Sequence, residues 1–123
     1  MKPPGIHIRP GEWEIVRGLL DRHVPCREVW AFGSRAKGTA KPFSDLDLVI
    51  LGIQPLTLST LAELADDFSE SDLPFKVDIV DWATTGERFR KVIEAERVVL
   101  QHPIQNDEAS RQDQPASCRQ SKE

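Results

Sequence analysis

Three aspartates are the residues of this sequence whose type and spacing most clearly indicate chemistry. Asp45 and Asp47 stand two residues apart at the start of the apolar run DLDLVIL. In a strand, residues two apart project from the same face, so these two carboxylates would lie side by side. Their repulsion is relieved by a divalent cation, and carboxylate oxygens suit Mg²⁺. Two ordinary acids at a solvated strand end are the alternative interpretation.

The third aspartate, Asp78, lies in the middle of the apolar segment 75–82. An unpaired acid in a buried strand is costly, so this residue needs a partner. If its strand lies beside that of the first two aspartates, it completes a three-carboxylate site. A salt bridge, for instance to Lys76, is the alternative. Asp81 has the opposite strand parity, and we interpret it as a surface or capping acid.

A glycine–serine pair upstream of the aspartates indicates a phosphate-binding turn. Gly33 and Ser34 directly follow a short apolar segment. Glycine lets the backbone approach a ligand closely, and a serine that begins a helix lies where backbone N–H groups favour phosphate. Arg35, Lys37 and Lys41 lie nearby and would supply positive charge to a triphosphate. A plain strand–turn–helix with a serine cap and exposed basic residues is the alternative.

The elements that must position these residues alternate along the chain. Apolar runs predict strands at residues 28–32, 45–51, 75–82 and 98–100. Helical periodicity predicts helices at residues 10–22 and 57–68 and a third that begins near residue 84. Helices that cover a small mixed sheet make this an α/β (α+β) domain.

Local signals give further detail on the predicted helices. The first carries an apolar stripe of Trp13, Val16 and Leu20. Capping boxes predict the starts of the other two, at Thr60 with Glu63 and at Thr84 with Glu87. The last helix would then carry Phe89, Val92 and Ile93 on one face.

The length and composition fit one domain. A chain of 123 residues can bury a real core but not two. Its 39% hydrophobic and 29% charged residues are typical of a soluble protein. From residue 103 onward there is almost no large apolar side chain to offset the cost of ordering. We therefore predict a folded domain at residues 1–102 and a disordered polar tail at residues 103–123.

The net charge and the length of the apolar runs narrow the class of protein further. A net charge of −4 argues against a nucleic-acid binder that relies on a broad basic surface. No apolar run approaches the roughly 20 residues needed to span a bilayer. The first ten residues, MKPPGIHIRP, lack the apolar region of a secretory signal. A cytoplasmic location is the expectation.

Taken in order, the motif resembles that of the DNA polymerase β superfamily of nucleotidyltransferases. Gly33 and Ser34 are followed after ten residues by Asp45-Leu-Asp47, and Asp78 stands on a later strand. The short chain and the phrase VDIVDW resemble the minimal branch of that superfamily, the MNT proteins. The resemblance covers about residues 10–100 and implies that the sheet is a polymerase-β-like palm in a nucleotidyltransferase domain.

The resemblance also implies a role for each motif residue. Asp45, Asp47 and Asp78 would be catalytic and would hold two Mg²⁺ ions. Gly33 and Ser34 would cradle the β- and γ-phosphates of ATP, with Arg35 and Lys37 adding positive charge. One metal would lower the pKa of the attacking hydroxyl, and the other would stabilise the departing pyrophosphate.

The minimal branch resembles the antitoxin halves of two-protein systems with a small helical HEPN partner. That implies transfer of AMP from ATP to a partner hydroxyl, such as that of a tyrosine, within a hetero-oligomer. Neither membrane binding nor direct nucleic-acid binding is expected. The sequence contains no tyrosine, so a tyrosine acceptor must lie on another molecule. Two alternatives stay open: a small-molecule (aminoglycoside-type) nucleotidyltransferase, and a catalytically weak nucleotide-binding subunit that masks its partner.

Overall fold

The computed structural model describes residues 3–103, in which helices and strands alternate. The helices are Pro10–His23 (α1), Ser34–Lys37 (α2), Leu58–Ser69 (α3) and Glu87–Glu96 (α4). The strands are Val29–Phe32 (β1), Leu46–Ile50 (β2), Val77–Asp81 (β3) and Val98–Gln101 (β4), with a 3₁₀ turn at Trp82–Thr84. Apart from Pro103, the tail for which disorder was predicted lies outside the described residues.

The four strands form one mixed sheet in the order β3-β2-β1-β4. β1 pairs antiparallel with β2 and with β4, whereas β2 and β3 run parallel. Parallel neighbours need a crossover connection, and α3 lies in the connection between these two strands. The predicted α/β class, a small mixed sheet with flanking helices, is confirmed.

The two faces of the sheet are covered by different helices. α1 and α3 pack over what we call the core face, where Leu20 and Leu64 are fully buried against the strands. α4 lies over the opposite face, which we call the α4 face, and contributes the fully buried Ile93. Because strand residues alternate between faces, neighbours in β1 separate: Ala31 packs in the core face and Trp30 in the α4 face.

The predicted stripe of α1 is confirmed, because its three residues are all buried. The predicted stripe of α4 is wrong in part. Ile93 is buried, but Phe89 is 43% exposed and Val92 is 46% exposed. This short helix packs over one face of the sheet and turns the flank with these two residues toward solvent.

The helix starts also differ from the capping-box predictions. α3 begins after Thr57, whose hydroxyl accepts a hydrogen bond from the Thr60 amide at 3.1 Å. α4 begins after Gly86 without a side-chain cap. The predicted cap, Thr84, instead donates its hydroxyl to the Asp81 carbonyl at 3.2 Å within the 3₁₀ turn.

No helix within residues 3–103 has the length and apolar character needed to cross a membrane.

Candidate active site

Asp47 and Asp78 lie directly beside each other on adjacent parallel strands. They are register partners between β2 and β3, whose backbones are roughly 4.8 Å apart in such a ladder. Leu46 and Leu48 point into the core face, so the intervening Asp47 projects from the α4 face. Asp45 has the same parity, immediately before β2, and is exposed. The fold thus brings the three predicted carboxylates to one end of one face.

This gathering of acids changes the ionisation of Asp47. Its pKa is raised above the ordinary value, first because the side chain is partly buried. The negative charges of Asp78, Asp45 and Glu96 raise the pKa further, in that order. The group is therefore an acid whose charged form is disfavoured by its surroundings, and a bound cation would relieve that penalty.

The carboxylates do not form a closed metal cage. Within the described residues, no three His, Cys, Asp or Glu side chains are grouped as a metal-ion site. Mg²⁺ is typically bound by one or two carboxylates together with substrate phosphates, rather than by a cage made wholly of protein. The adjacent pair Asp47 and Asp78, with Asp45 nearby, fits the donor chemistry of such an incomplete site.

Gly33 lies against the Asp47 carboxylate. It follows Phe32, the register partner of Asp47 in β1. Its φ of +79° is a conformation that other residues rarely adopt, and a Cβ at this position would overlap Oδ2 of Asp47. Ser34 then begins the single turn of α2. Glycine is therefore required both by the backbone conformation and by the close approach to the carboxylate.

Glu96 is a site residue that the sequence reasoning missed. The Gly33 amide donates to Glu96 Oε1 at 2.9 Å, and Lys37 Nζ lies 3.4 Å from Glu96 Oε2. The side chain comes from the last residue of α4, 63 positions from Gly33 in sequence. One signal was available: an acid in the last turn of a helix is opposed by the helix dipole, which suggests another role.

The structure places the basic residues differently from one another. Lys37 reaches the carboxylate cluster through Glu96. Lys41 is exposed in the loop that leads to Asp45. Arg35 was predicted to contact phosphates, but it is buried, and its guanidinium lies 3.9 Å from the centre of the Phe75 ring. Its side chain is thus packed within the protein rather than exposed to a ligand.

The guanidinium of Arg35 donates hydrogen bonds to four backbone carbonyls. Nη1 donates to the His7 carbonyl at 2.8 Å and Nε to the Ser44 carbonyl at 2.9 Å. Nη2 donates to the carbonyls of Pro42 at 2.9 Å and Lys41 at 3.3 Å. These bonds fix the loop before Asp45, so the contacts of Arg35 indicate a positioning residue.

Asp81 belongs to a separate network at the other end of β3. Its Oδ2 accepts from the Leu56 amide at 2.9 Å and its Oδ1 from the Ala83 amide at 3.2 Å. The capping role predicted for this acid is confirmed, although the residue is buried rather than on the surface.

The fold and the site together define a class of protein. Residues 14–105 match the family described as polymerase beta, nucleotidyltransferase. The chain belongs to this family, and it is a nucleotidyltransferase. The resemblance found in the sequence is confirmed.

Individual relatives sharpen this comparison. The chain is 50% identical over 96 residues to the probable protein adenylyltransferase MntA of Haemophilus influenzae. The aligned residues cover 78% of this chain and 84% of that protein. A crystal structure of a toxin–antitoxin with AMP-PNP contains a chain that is 26% identical, with a TM-score of 0.64 and coverage of 79% and 78% of the two chains.

A further structure shares the fold. It is the tri-AMPylated Shewanella oneidensis HEPN toxin in complex with MNT antitoxin, and it matches at 23% identity with a TM-score of 0.60. The match covers 83% of this chain and 79% of the other. At this identity the comparison supports the architecture alone.

Proposed function

We propose that this chain is a Mg²⁺-dependent protein adenylyltransferase that transfers AMP from ATP to a tyrosine hydroxyl of a helical HEPN-type partner, and that it acts as the antitoxin of the pair. The observation that carries the proposal is the adjacency of Asp47 and Asp78 beside Gly33. The protein-directed part draws on the 50% identity to the probable protein adenylyltransferase MntA.

The nucleotide site in this proposal lies at the turn between β1 and α2. Gly33 offers its backbone N–H to a phosphate, and Ser34 adds a hydroxyl and an amide. Lys37, whose ammonium lies near the carboxylate end of the site, adds positive charge. Arg35 serves this site indirectly, since it holds the loop that carries Asp45.

In this proposal the metal-binding residues are Asp45, Asp47 and Asp78. Bound Mg²⁺ supplies positive charge that lowers the pKa of an attacking hydroxyl and stabilises departing pyrophosphate. The raised pKa of Asp47 supports a cation site, because crowded carboxylates gain most from a cation. Asp78, on the edge strand β3, is the candidate to accept the proton of the acceptor hydroxyl.

The acceptor must come from another molecule if it is a tyrosine, because this sequence has none. Apolar surface near the site supports a protein partner. Phe43, two residues before Asp45, is 77% exposed, and Phe89 and Val92 leave the flank of α4 partly open. Phe89 contacts the ring of Phe32, beside the site, with centroids 5.7 Å apart. Exposed apolar groups clustered near a site are typical of protein interfaces.

The test is the intact mass of the partner, captured with this chain from source cells, before and after addition of ATP and Mg²⁺. We expect a gain of one or more adenylyl groups. The gain should disappear with the Asp45→Asn, Asp47→Asn double variant and persist with Asp66→Asn. Asp66 is a matched control, because it is an exposed acid on α3, away from the α4 face.

Each negative result points to a specific alternative. A stable complex without any mass gain would contradict protein adenylylation. If the double variant still neutralises the partner fully, the chain acts by masking rather than by chemistry. Transfer of a nucleotide to an aminoglycoside by the isolated chain would favour the small-molecule reaction.

A further inference from the structure

The Glu96 carboxylate occupies the groups that the proposed nucleotide site offers to a phosphate. One oxygen accepts from the Gly33 amide at 2.9 Å, and the other lies 3.4 Å from the Lys37 ammonium. A carboxylate and a phosphate both recognise N–H donors and ammonium groups through anionic oxygens. The two anions cannot use the same Gly33 N–H at once.

The position of Glu96 is electrostatically unfavourable apart from these contacts. As the last residue of α4, its negative charge lies at the end of the helix that repels acids. The same charge adds to the acids that raise the pKa of Asp47. Helix stability therefore gives no reason for an acid here, and the contacts with Gly33 and Lys37 are what offset its cost.

The backbone around Glu96 is held firmly on both sides. Ile93, one turn earlier, is fully buried under the sheet. Arg97, the next residue, places its guanidinium 4.9 Å from the centre of the Trp30 ring and donates to the Glu94 carbonyl at 3.1 Å. β4 then pairs with β1 from Val98 onward. Exchange between Glu96 and a ligand at Gly33 therefore needs only rotation of the Glu96 side chain.

We propose that Glu96 is an internal competitor of the triphosphate and sets the nucleotide affinity of this enzyme. In the free protein its carboxylate holds the Gly33 amide and Lys37. A triphosphate that binds must displace the carboxylate from both groups. This inference rests on the proposed function, since it assumes that phosphates bind at Gly33.

Displacement lowers the apparent affinity by the fraction of molecules in which the Glu96 side chain is turned away. Hydrogen bonds to a charged group contribute more than those between neutral groups, so removing the competitor should tighten binding by about tenfold or more. If Glu96 merely supported the turn at Gly33, its substitution would weaken nucleotide binding instead, because the phosphate-binding groups would be held less firmly.

The experiment is calorimetric titration of the full chain with AMP-PNP in the presence of Mg²⁺. Four proteins are compared: the natural sequence, Glu96→Ala, Glu96→Asp and Glu94→Ala. Glu96→Asp keeps the negative charge but shortens the side chain by one methylene. It therefore distinguishes the effect of losing the contacts with Gly33 and Lys37 from the effect of losing the charge. Glu94→Ala removes an exposed acid from the same helix and controls for net charge.

We expect tighter binding for both Glu96 variants and unchanged binding for Glu94→Ala. Inorganic tripolyphosphate with Mg²⁺ should give the same order, because the competition is for phosphate groups. Weaker or unchanged binding by Glu96→Ala overturns the inference, and so does a gain confined to Glu96→Ala, which would reflect charge alone. Should Glu96→Ala unfold, the more conservative Glu96→Asp decides. If no protein binds AMP-PNP, it is the proposed function that fails.

Discussion

The core face and the α4 face are formed by the same strands, yet the first carries buried apolar side chains and the second also carries acidic ones. On the core face, β2 contributes Leu46, Leu48 and Ile50, all fully buried. On the α4 face, the same strand contributes Val49, which is buried, and Asp47, which is an acid and partly exposed. Alternation along a single strand thus separates a packed surface from a reactive one.

The amount of apolar burial follows the same division. In the described part of the chain, the core face gathers fifteen buried residues, whereas the α4 face gathers four. Burial of apolar surface is the main favourable term in folding, so the core face supplies most of the stability. The α4 face can then hold several acids at one end, because the fold depends less on apolar packing there.

The largest expected effect is the loss of activity when a central acid of the α4 face is neutralised. Asp47→Asn removes one of two adjacent carboxylates, and we expect nucleotidyl transfer to fall by more than about 10³-fold. The rate of adenylyl transfer under saturating ATP and Mg²⁺ measures this effect. The exposed acid variant Asp66→Asn should keep the natural rate; a comparable loss there would contradict the assignment.

The same variant should stabilise the protein in the absence of metal. The folded-state pKa of Asp47 is raised, so its favourable contribution is present at low pH and is lost as pH rises through that pKa. At neutral pH the charged form is therefore a cost that asparagine removes. Urea unfolding should show Asp47→Asn more stable than the natural chain at pH 7, with the difference vanishing near pH 3. A less stable variant at pH 7 would contradict this.

The second effect concerns two glycines that share a positive φ but differ in ψ, which is −160° at Gly33 and +16° at Gly38. Gly33 and Gly38 both have φ of +79°, but only at Gly33 would a Cβ overlap the Asp47 carboxylate, while at Gly38 it would meet nothing within 4 Å. Gly33→Ala should lower the transfer rate by about 10²-fold, because small displacements of reacting groups have large effects. Gly38→Ala should cost about 1 kcal/mol of stability and little activity. Equal losses of activity would show that the contact with Asp47 is unimportant.

The third effect tests whether Arg35 positions the loop or binds phosphate. Arg35→Lys keeps the charge but loses the fork that holds the backbone at His7 and Ser44. We expect a loss of about 2 kcal/mol in the free energy of unfolding, with AMP-PNP affinity nearly unchanged well below the melting temperature. Natural stability together with weakened nucleotide binding would instead support the phosphate contact predicted from the sequence.

Arg35 and Glu96 show what the sequence could and could not predict. Sequence periodicity located the main strands and helices, and strand parity placed Asp45 and Asp47 on one face. These are local properties, carried by a few consecutive residues. The direction of the Arg35 side chain depends on the His7 carbonyl, 28 positions away, and the role of Glu96 depends on Gly33, 63 positions away. Such contacts are set by tertiary packing, which no local pattern encodes.

The smallest effect separates two neighbours on α4. Val92 is 46% exposed, whereas Ile93 is fully buried under the sheet. Val92→Ala removes two methyl groups yet should change the free energy of unfolding by less than about 0.5 kcal/mol, as expected of surface positions. Ile93→Val removes one methyl group but should cost about 1 kcal/mol, because it leaves a cavity. Urea unfolding of both variants measures the difference. Equal costs would mean that Val92 is covered in solution, and the α4 face would then be less open than its exposed flank indicates.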